Sequence, residues 1–178
     1  DRVFLSGYFG QDKFGFGESF GFEWGNTTAT LRWNHIYSNK LFSNTSIIYS
    51  NYDYKITIGG AGFNIASVIK DWTFKQDYQW FANDVHNVKF GFNVLTHKIS
   101  PGGINSIEPD GIIANLNVQD KRSVEGSAYL LDEWKISNRI SANYGLRYSS
   151  FYAIGDQDVY SYDQNGNLSD TTYYGKNE

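Results

Sequence analysis

Apolar and polar residues alternate with a period of two along most of this chain, and a period near 3.6 is nowhere sustained. Over residues 88–99, Val88, Phe90, Phe92 and Val94 fall on one side, with Lys89, Gly91 and Asn93 on the other. Residues 140–148 repeat the pattern, Ile140, Ala142, Tyr144, Leu146 and Tyr148 opposing Ser141, Asn143, Gly145 and Arg147. Trp72, Phe74, Tyr78 and Trp80 oppose Thr73, Lys75, Asp77 and Gln79, and Leu31, Trp33 and Tyr37 oppose Thr30, Arg32 and Asn34. Successive strand side chains point to opposite faces, so each segment predicts a strand with one apolar and one polar face. Composition agrees: aromatics make up 18% of the chain, Gly numbers 18 and Pro only 2, a β-rich balance.

The pattern predicts about seven strands, at roughly 3–10, 21–37, 41–58, 71–82, 87–99, 123–136 and 140–152. Short polar turns stand at Ser38-Asn39-Lys40, at 83–87 and at Ser137-Asn138-Arg139, alternating with longer segments at 59–70, 100–122 and from 153 onward. Tight turns at one end and long loops at the other are the habit of up-and-down outer-membrane barrels. Most of the strands reach the ~9–11 residues that cross a bilayer at a tilt. The expected fold is therefore all-β, an antiparallel up-and-down transmembrane β-barrel segment. About seven strands fall below the roughly eight of the smallest single-chain barrels, so the piece would not close alone. On this reading Val88, Phe90, Phe92, Val94, Ile140, Ala142, Tyr144, Leu146 and Tyr148 face lipid, and Trp33, Tyr37, Trp72, Trp80 and Trp134 form an aromatic girdle. No apolar run approaches the ~18 residues of a spanning helix. The chain opens on Asp1-Arg2-Val3 without a signal peptide or initiator Met, which reads as the start of a fragment.

Residues with chemical potential do not assemble into a reactive set. There is no Cys, hence no disulfide, thiolate site or cysteine nucleophile. His35, His86 and His97 have no carboxylate or second His at a metal-ligand spacing, so no metal is expected. Asp132 and Glu133 are adjacent in a strand and point to opposite faces, which separates them as an acid/base couple. The stretch 160–170 has oxygen-bearing side chains at alternate positions, but counted from Asp163 a calcium loop would need Gly and an acid where Leu168 and Tyr174 stand. A hairpin turned at Asn165-Gly166 is the better reading. Gly59-Gly60-Ala61-Gly62 and Pro101-Gly102-Gly103 follow strands and open no helix, so neither cradles phosphate. A net charge of −4 with scattered signs gives no basic stripe for nucleic acid. No catalytic residue and no cofactor is expected, and the chain is read as no enzyme.

Several stretches resemble a known family. Gly25-Asn26-Thr27-Thr28-Ala29-Thr30-Leu31-Arg32-Trp33-Asn34-His35 and Lys40-Leu41-Phe42-Ser43-Asn44-Thr45-Ser46 look like barrel strands of Bacteroidetes-type TonB-dependent outer-membrane receptors. Val88-Lys89-Phe90-Gly91-Phe92-Asn93 resembles a strand opening after a periplasmic turn. Tyr129-Leu130-Leu131-Asp132-Glu133-Trp134-Lys135-Ile136, followed by residues 140–148, resembles a hairpin of the same receptors, with Leu131 where Gln is commoner.

The resemblance covers roughly residues 20–152 and implies a barrel of about 22 strands enclosing a plug. Residues 1–178 would be a partial barrel domain without that plug. The implied partners are outer-membrane lipid, the rest of the barrel and plug, the TonB complex through an upstream region, and a surface lipoprotein. The implied place is the bacterial cell outer membrane, and the implied function is import of a nutrient ligand. Phe63, Ile65, Tyr160 and Tyr162 are then candidate ligand contacts. The second reading, from the residues alone, is a soluble β-sandwich carbohydrate-binding module with the aromatics as stacking platforms.

Overall fold

A computed structural model describes residues 1–107, 116–155 and 157–175. Among them the chain is β structure in two antiparallel sheets. The large sheet takes β1 (Arg2–Phe16), β2 (Phe20–Ile36), β3 (Leu41–Ile58), β4 (Phe63–Phe81), β5 (His86–Ser106), β6 (Leu116–Asn117), β7 (Lys121–Lys135) and β8 (Ser141–Ile154). Its order is β1-β2-β3-β4-β5-β7-β8, each strand beside its predecessor, with the short β6 also pairing β5. The second sheet is the hairpin of β9 (Gln157–Tyr162) and β10 (Leu168–Tyr174).

The expected transmembrane barrel is corrected here. β1 and β8 are the two ends of the strand order and do not pair, so the sheet is open. The loop asymmetry behind that expectation also fails. The segment 59–70 is no long loop: Gly59–Ala61 makes one 3₁₀ turn and β4 begins at Phe63. β1 and β2 are joined as tightly, with Phe16 paired to Phe20. Strands also extend where loop signals suggested otherwise. β5 runs on to Ser106 through Pro101-Gly102-Gly103, because the register against β4 shifts between Ala66 and Val68. That bulge gives Pro a place where it interrupts no regular ladder. Ser67 Oγ donates to the Ser100 carbonyl at 2.9 Å and pins the bulge. The part of the segment 100–122 between 108 and 115 lies outside the described residues.

The hairpin at Asn165-Gly166 forms as the sequence predicts. Gly166 N–H donates to the Asp163 carbonyl, and Asp163 N–H to that of Asn167, closing a three-residue loop. Only Gly166 takes a positive φ, 81°, which marks a turn followed by a left-handed residue rather than a two-residue primed turn. Asp163 Oδ1 accepts from the N–H groups of Asn165 and Asn167 at 2.8 and 2.9 Å. These bonds favour the carboxylate and hold Asp163 below the usual range.

Pairing register assigns the faces. One row reads Leu5, Leu31, Ile47, Phe74 and Val94, and another reads Ser43, Tyr78, Phe90, Leu130 and Leu146. The reverse face carries Asn34, Asn44, Asp77, Gly91, Tyr129 and Arg147 in one row. Nothing covers the apolar side: among the described residues no hydrophobic side chain is buried, and the buried ones are Ser43, Ser46, Ser67, Gln76 and Ser123. The sandwich of the second reading is therefore not built either, since a sandwich packs two inner faces on each other. The large sheet is one layer, held by its ladder and by cross-strand pairs such as Tyr78–Phe90, stacked at 5.0 Å.

Gly91 shows how tight the polar face is. Tyr129 on β7 reaches across β5 to donate to Asp77 Oδ1 on β4 at 2.7 Å. The space it crosses is the one a Cβ at position 91 would need, which would press against the Gln76 carbonyl oxygen and lie 3.1 Å from the Tyr129 ring. Desolvation, then the bond to Asp77, push the Tyr129 phenol up to about 12. Replacing Gly91 by Ala should cost about 1–3 kcal/mol of stability through overpacking and bring the Tyr129 titration down. Gly60→Ala, where the added carbon meets open space, should be near neutral. Urea unfolding and ultraviolet phenol titration of both variants measure this.

Candidate functional site

The short turns Ser38–Lys40, 83–85 and 137–139 gather at one end of the sheet, and a band of aromatic residues lies beside them. On the apolar face β2 supplies Trp33 and His35, β4 supplies Tyr78 and Trp80, β5 supplies His86 and Phe90, β7 supplies Trp134, and β8 supplies Tyr144. Tyr37 follows β2 directly. The rings run almost continuously: Trp33–His35 at 5.1 Å, His35–Tyr37 at 4.3 Å, Tyr37–Tyr78 at 6.4 Å and His86–Trp134 stacked at 5.7 Å. Alternation puts these rings on one side, and the register puts the strands carrying them in order. Trp33, Tyr37, Trp80 and Trp134 are between 38% and 53% exposed, open enough to receive a ligand.

Asp132 is the charged centre of this band. Its Oδ2 accepts from the Tyr144 hydroxyl at 2.7 Å and lies 2.7 Å from His86 Nδ1. The Tyr144 bond, and then His86, hold the carboxyl below its usual range against the desolvation that would raise it. Tyr144 is raised in turn by the same bond. Asp132 Oδ1 is shielded and has no hydrogen-bond partner within the protein.

Glu133 lies on the opposite face, as the alternation requires. Lys89 Nζ and Asn87 Nδ2 donate to its two oxygens at 2.5 and 2.6 Å, and Gln79 Nε2 donates to Asn87 Oδ1 at 3.1 Å. Lys89 first and Asn87 second hold the Glu133 carboxyl below its usual range. Asp132 and Glu133 thus belong to separate networks, and no proton can pass directly between them.

An open groove of about 610 Å³ runs between the turns at 83–87 and 137–141. Residues of both faces line it: Glu133, Asn87 and Asn143 share the polar face, Trp134 belongs to the apolar one, and Asp84 and Arg139 stand in the turns. Sequence reasoning missed this juxtaposition. The two turns are distant in sequence and become neighbours only because β5 pairs β7 in the register His86↔Trp134.

The histidines have partners that sequence spacing could not show. His35 Nδ1 is 2.7 Å from Asp1 and His97 Nδ1 is 2.8 Å from Asp71, both cross-strand. Among the described residues no group of three or more metal-ligating side chains forms. Of the remaining sequence candidates, Val88, Phe90, Phe92 and Val94 share a face with Ala142, Tyr144, Leu146 and Tyr148, and Ile140 lies just before β8. Trp72 is on the same face but mid-strand, against Tyr49 at 4.9 Å. Phe63 and Ile65 are in β4, whereas Tyr160 and Tyr162 are in the separate hairpin.

No family model, curated protein or solved structure matches the chain. The resemblance to TonB-dependent receptors is therefore corrected together with the barrel, since neither a matching family nor a closed wall supports it. The nutrient-import function, the outer-membrane location and the partners drawn from it (lipid, plug, remaining barrel, TonB complex and surface lipoprotein) fall with it. No helix among the described residues is long and apolar enough to cross a membrane, which bears on helices only.

Asp132 supplies a test of the band's electrostatics. A folded-state pKa below the unfolded value, ordinarily about 3.9 for Asp, contributes stability that is fully present above the unfolded pKa and is lost as pH falls through the folded one. Tyr144→Phe removes the largest lowering influence. The Asp132 carboxyl resonance should then titrate at higher pH than in the parent, as followed by carbon NMR.

Proposed function

We propose that this chain is a carbohydrate-binding module that holds sugar rings on exposed aromatic side chains and carries out no chemistry of its own. The observation that carries the proposal is Trp134, 38% exposed and bordering the polar groove between the turns. A pyranose has a face of C–H groups that packs on an indole and a rim of hydroxyls that needs donors and acceptors. The short-turn end of the sheet offers that combination: the exposed Trp134 ring for the face, and Asp84 and Arg139 in the adjoining turns for the hydroxyls. Binding sites of this kind pair an apolar surface with a few polar groups that fix orientation.

The band from Trp33 to Trp134 supplies further rings on the same side, which favours an extended glycan over a single sugar. Both carboxylates at the site are held ionised by their partners, on opposite faces, and Glu133 has each oxygen engaged. That favours recognition over acid/base catalysis, which wants a group poised near neutral pH.

Glycan-array screening of the chain, followed by calorimetry on the best hit, tests the proposal. Trp134→Ala should weaken binding at least tenfold, about 1.4 kcal/mol, while Trp134→Phe retains part of it. Circular dichroism confirms that the variants keep the sheet. Binding by the parent that is indifferent to Trp134→Ala, or no glycan bound at all, would overturn it.

A further inference from the structure

The two edges of the large sheet are not alike. Natural proteins blunt an exposed edge strand with charged residues, Lys above all, with Pro, with bulges, or with short length. β1 carries Arg2, Asp12 and Lys13 along its 15 residues. β8 has 14 residues and a single charge, Arg147, with no Pro. Its register with β7 runs from Arg122↔Ile154 to Lys135↔Ser141 without a shift, so no bulge twists it away. Its apolar side chains are as open as those of the other edge, Leu146 at 83% and Tyr148 at 70% against Leu5 at 80% and Phe9 at 74%, so the two edges differ in charge and not in apolar exposure.

We propose that β8 is a self-association edge, pairing antiparallel with β8 of a second copy of this chain about a two-fold axis normal to the sheet. A rotation about that normal is the one that brings β8 against itself with the apolar faces on the same side and the strands antiparallel. Keeping that side continuous requires paired residues of like parity, which centres the axis on a residue. Centred on Arg147, the register would oppose two guanidinium groups. Centred on Tyr148, it sets Tyr148 against Tyr148, Leu146 against Ser150, Tyr144 against Tyr152 and Arg147 against Ser149. Arg147 already has Ser149 as a neighbour within its own strand, Nε to Oγ at 3.4 Å, so the charge meets a hydroxyl it can share. β8 is thus self-complementary in charge, and each copy supplies the same patch, as a two-fold interface requires.

The test is the mass of the chain in solution by sedimentation velocity across a concentration series. The parent should sediment as a dimer that dissociates on dilution. Tyr148→Lys, which sets two ammonium groups across the axis, should raise the dissociation constant at least tenfold. Leu5→Lys on the β1 edge should leave it unchanged. A parent that stays monomeric overturns the proposal, as does a dimer broken by Leu5→Lys but not by Tyr148→Lys. A dimer insensitive to both and broken by Phe74→Lys would mean stacking of the apolar faces, and also overturns it. Circular dichroism on each variant separates loss of pairing from loss of the sheet.

Discussion

The antiparallel ladder is the interaction on which everything else in this molecule depends. Most globular domains bury an apolar face against a second layer and draw their stability from that burial. Here no apolar side chain among the described residues is buried. The large sheet must therefore be held by backbone pairing and by contacts between side chains that the register sets opposite one another. Cross-strand pairs contribute only roughly 0.2–1 kcal/mol each, so many must act together. The strands are accordingly long, 14 to 21 residues in the seven that make up the main order.

A rigid register also does the work that loops do in other binding proteins. Because paired residues share a face, one arithmetic relation places Trp134 beside His86, Asp132 opposite Tyr144 and Glu133 opposite Asn87. The same alternation that makes one side apolar separates the two neighbouring carboxylates into independent networks. The groove at the short-turn end exists because two turns distant in sequence are carried to adjacent positions by one strand pair. Site and scaffold are here one structure: a slip of one residue in that pair would move Trp134 to the other face and dismantle both.

What could be read from sequence follows from what is local. Alternation at 88–99 and 140–148 identifies strands because side-chain direction depends on parity alone. Asn165-Gly166 identifies a hairpin because Gly takes a positive φ at little cost. Strand ends were less legible. Gly59-Gly60-Ala61-Gly62 and Pro101-Gly102-Gly103 look alike as punctuation, yet the first makes a turn and the second is absorbed by a bulge, a difference set by the neighbouring strand. The histidine–carboxylate contacts were illegible for the same reason: His97 meets Asp71 across β4 and β5, 26 residues apart. The segment 59–70 is also one of the three long segments on which the loop asymmetry, and with it the argument for a barrel, rests.

An open sheet differs from a closed one in having to deal with its edges, and the distribution of charge shows two solutions. At β1 the charged residues Asp12 and Lys13 sit in the strand, and Lys13 pairs with Glu23 of β2 at 3.0 Å, turning part of that edge's charge inward to its neighbour. β8 carries one charge, Arg147, which donates to Ser127 Oγ of β7 at 2.9 Å, and its exposed apolar side chains are Tyr, Leu, Phe and Ile. Charge on an edge opposes addition of another strand, whereas aromatic and aliphatic side chains favour it through the same cross-strand contacts that hold the sheet together. The force that builds this fold strand by strand is therefore opposed by three charged residues at one edge and by a single one at the other.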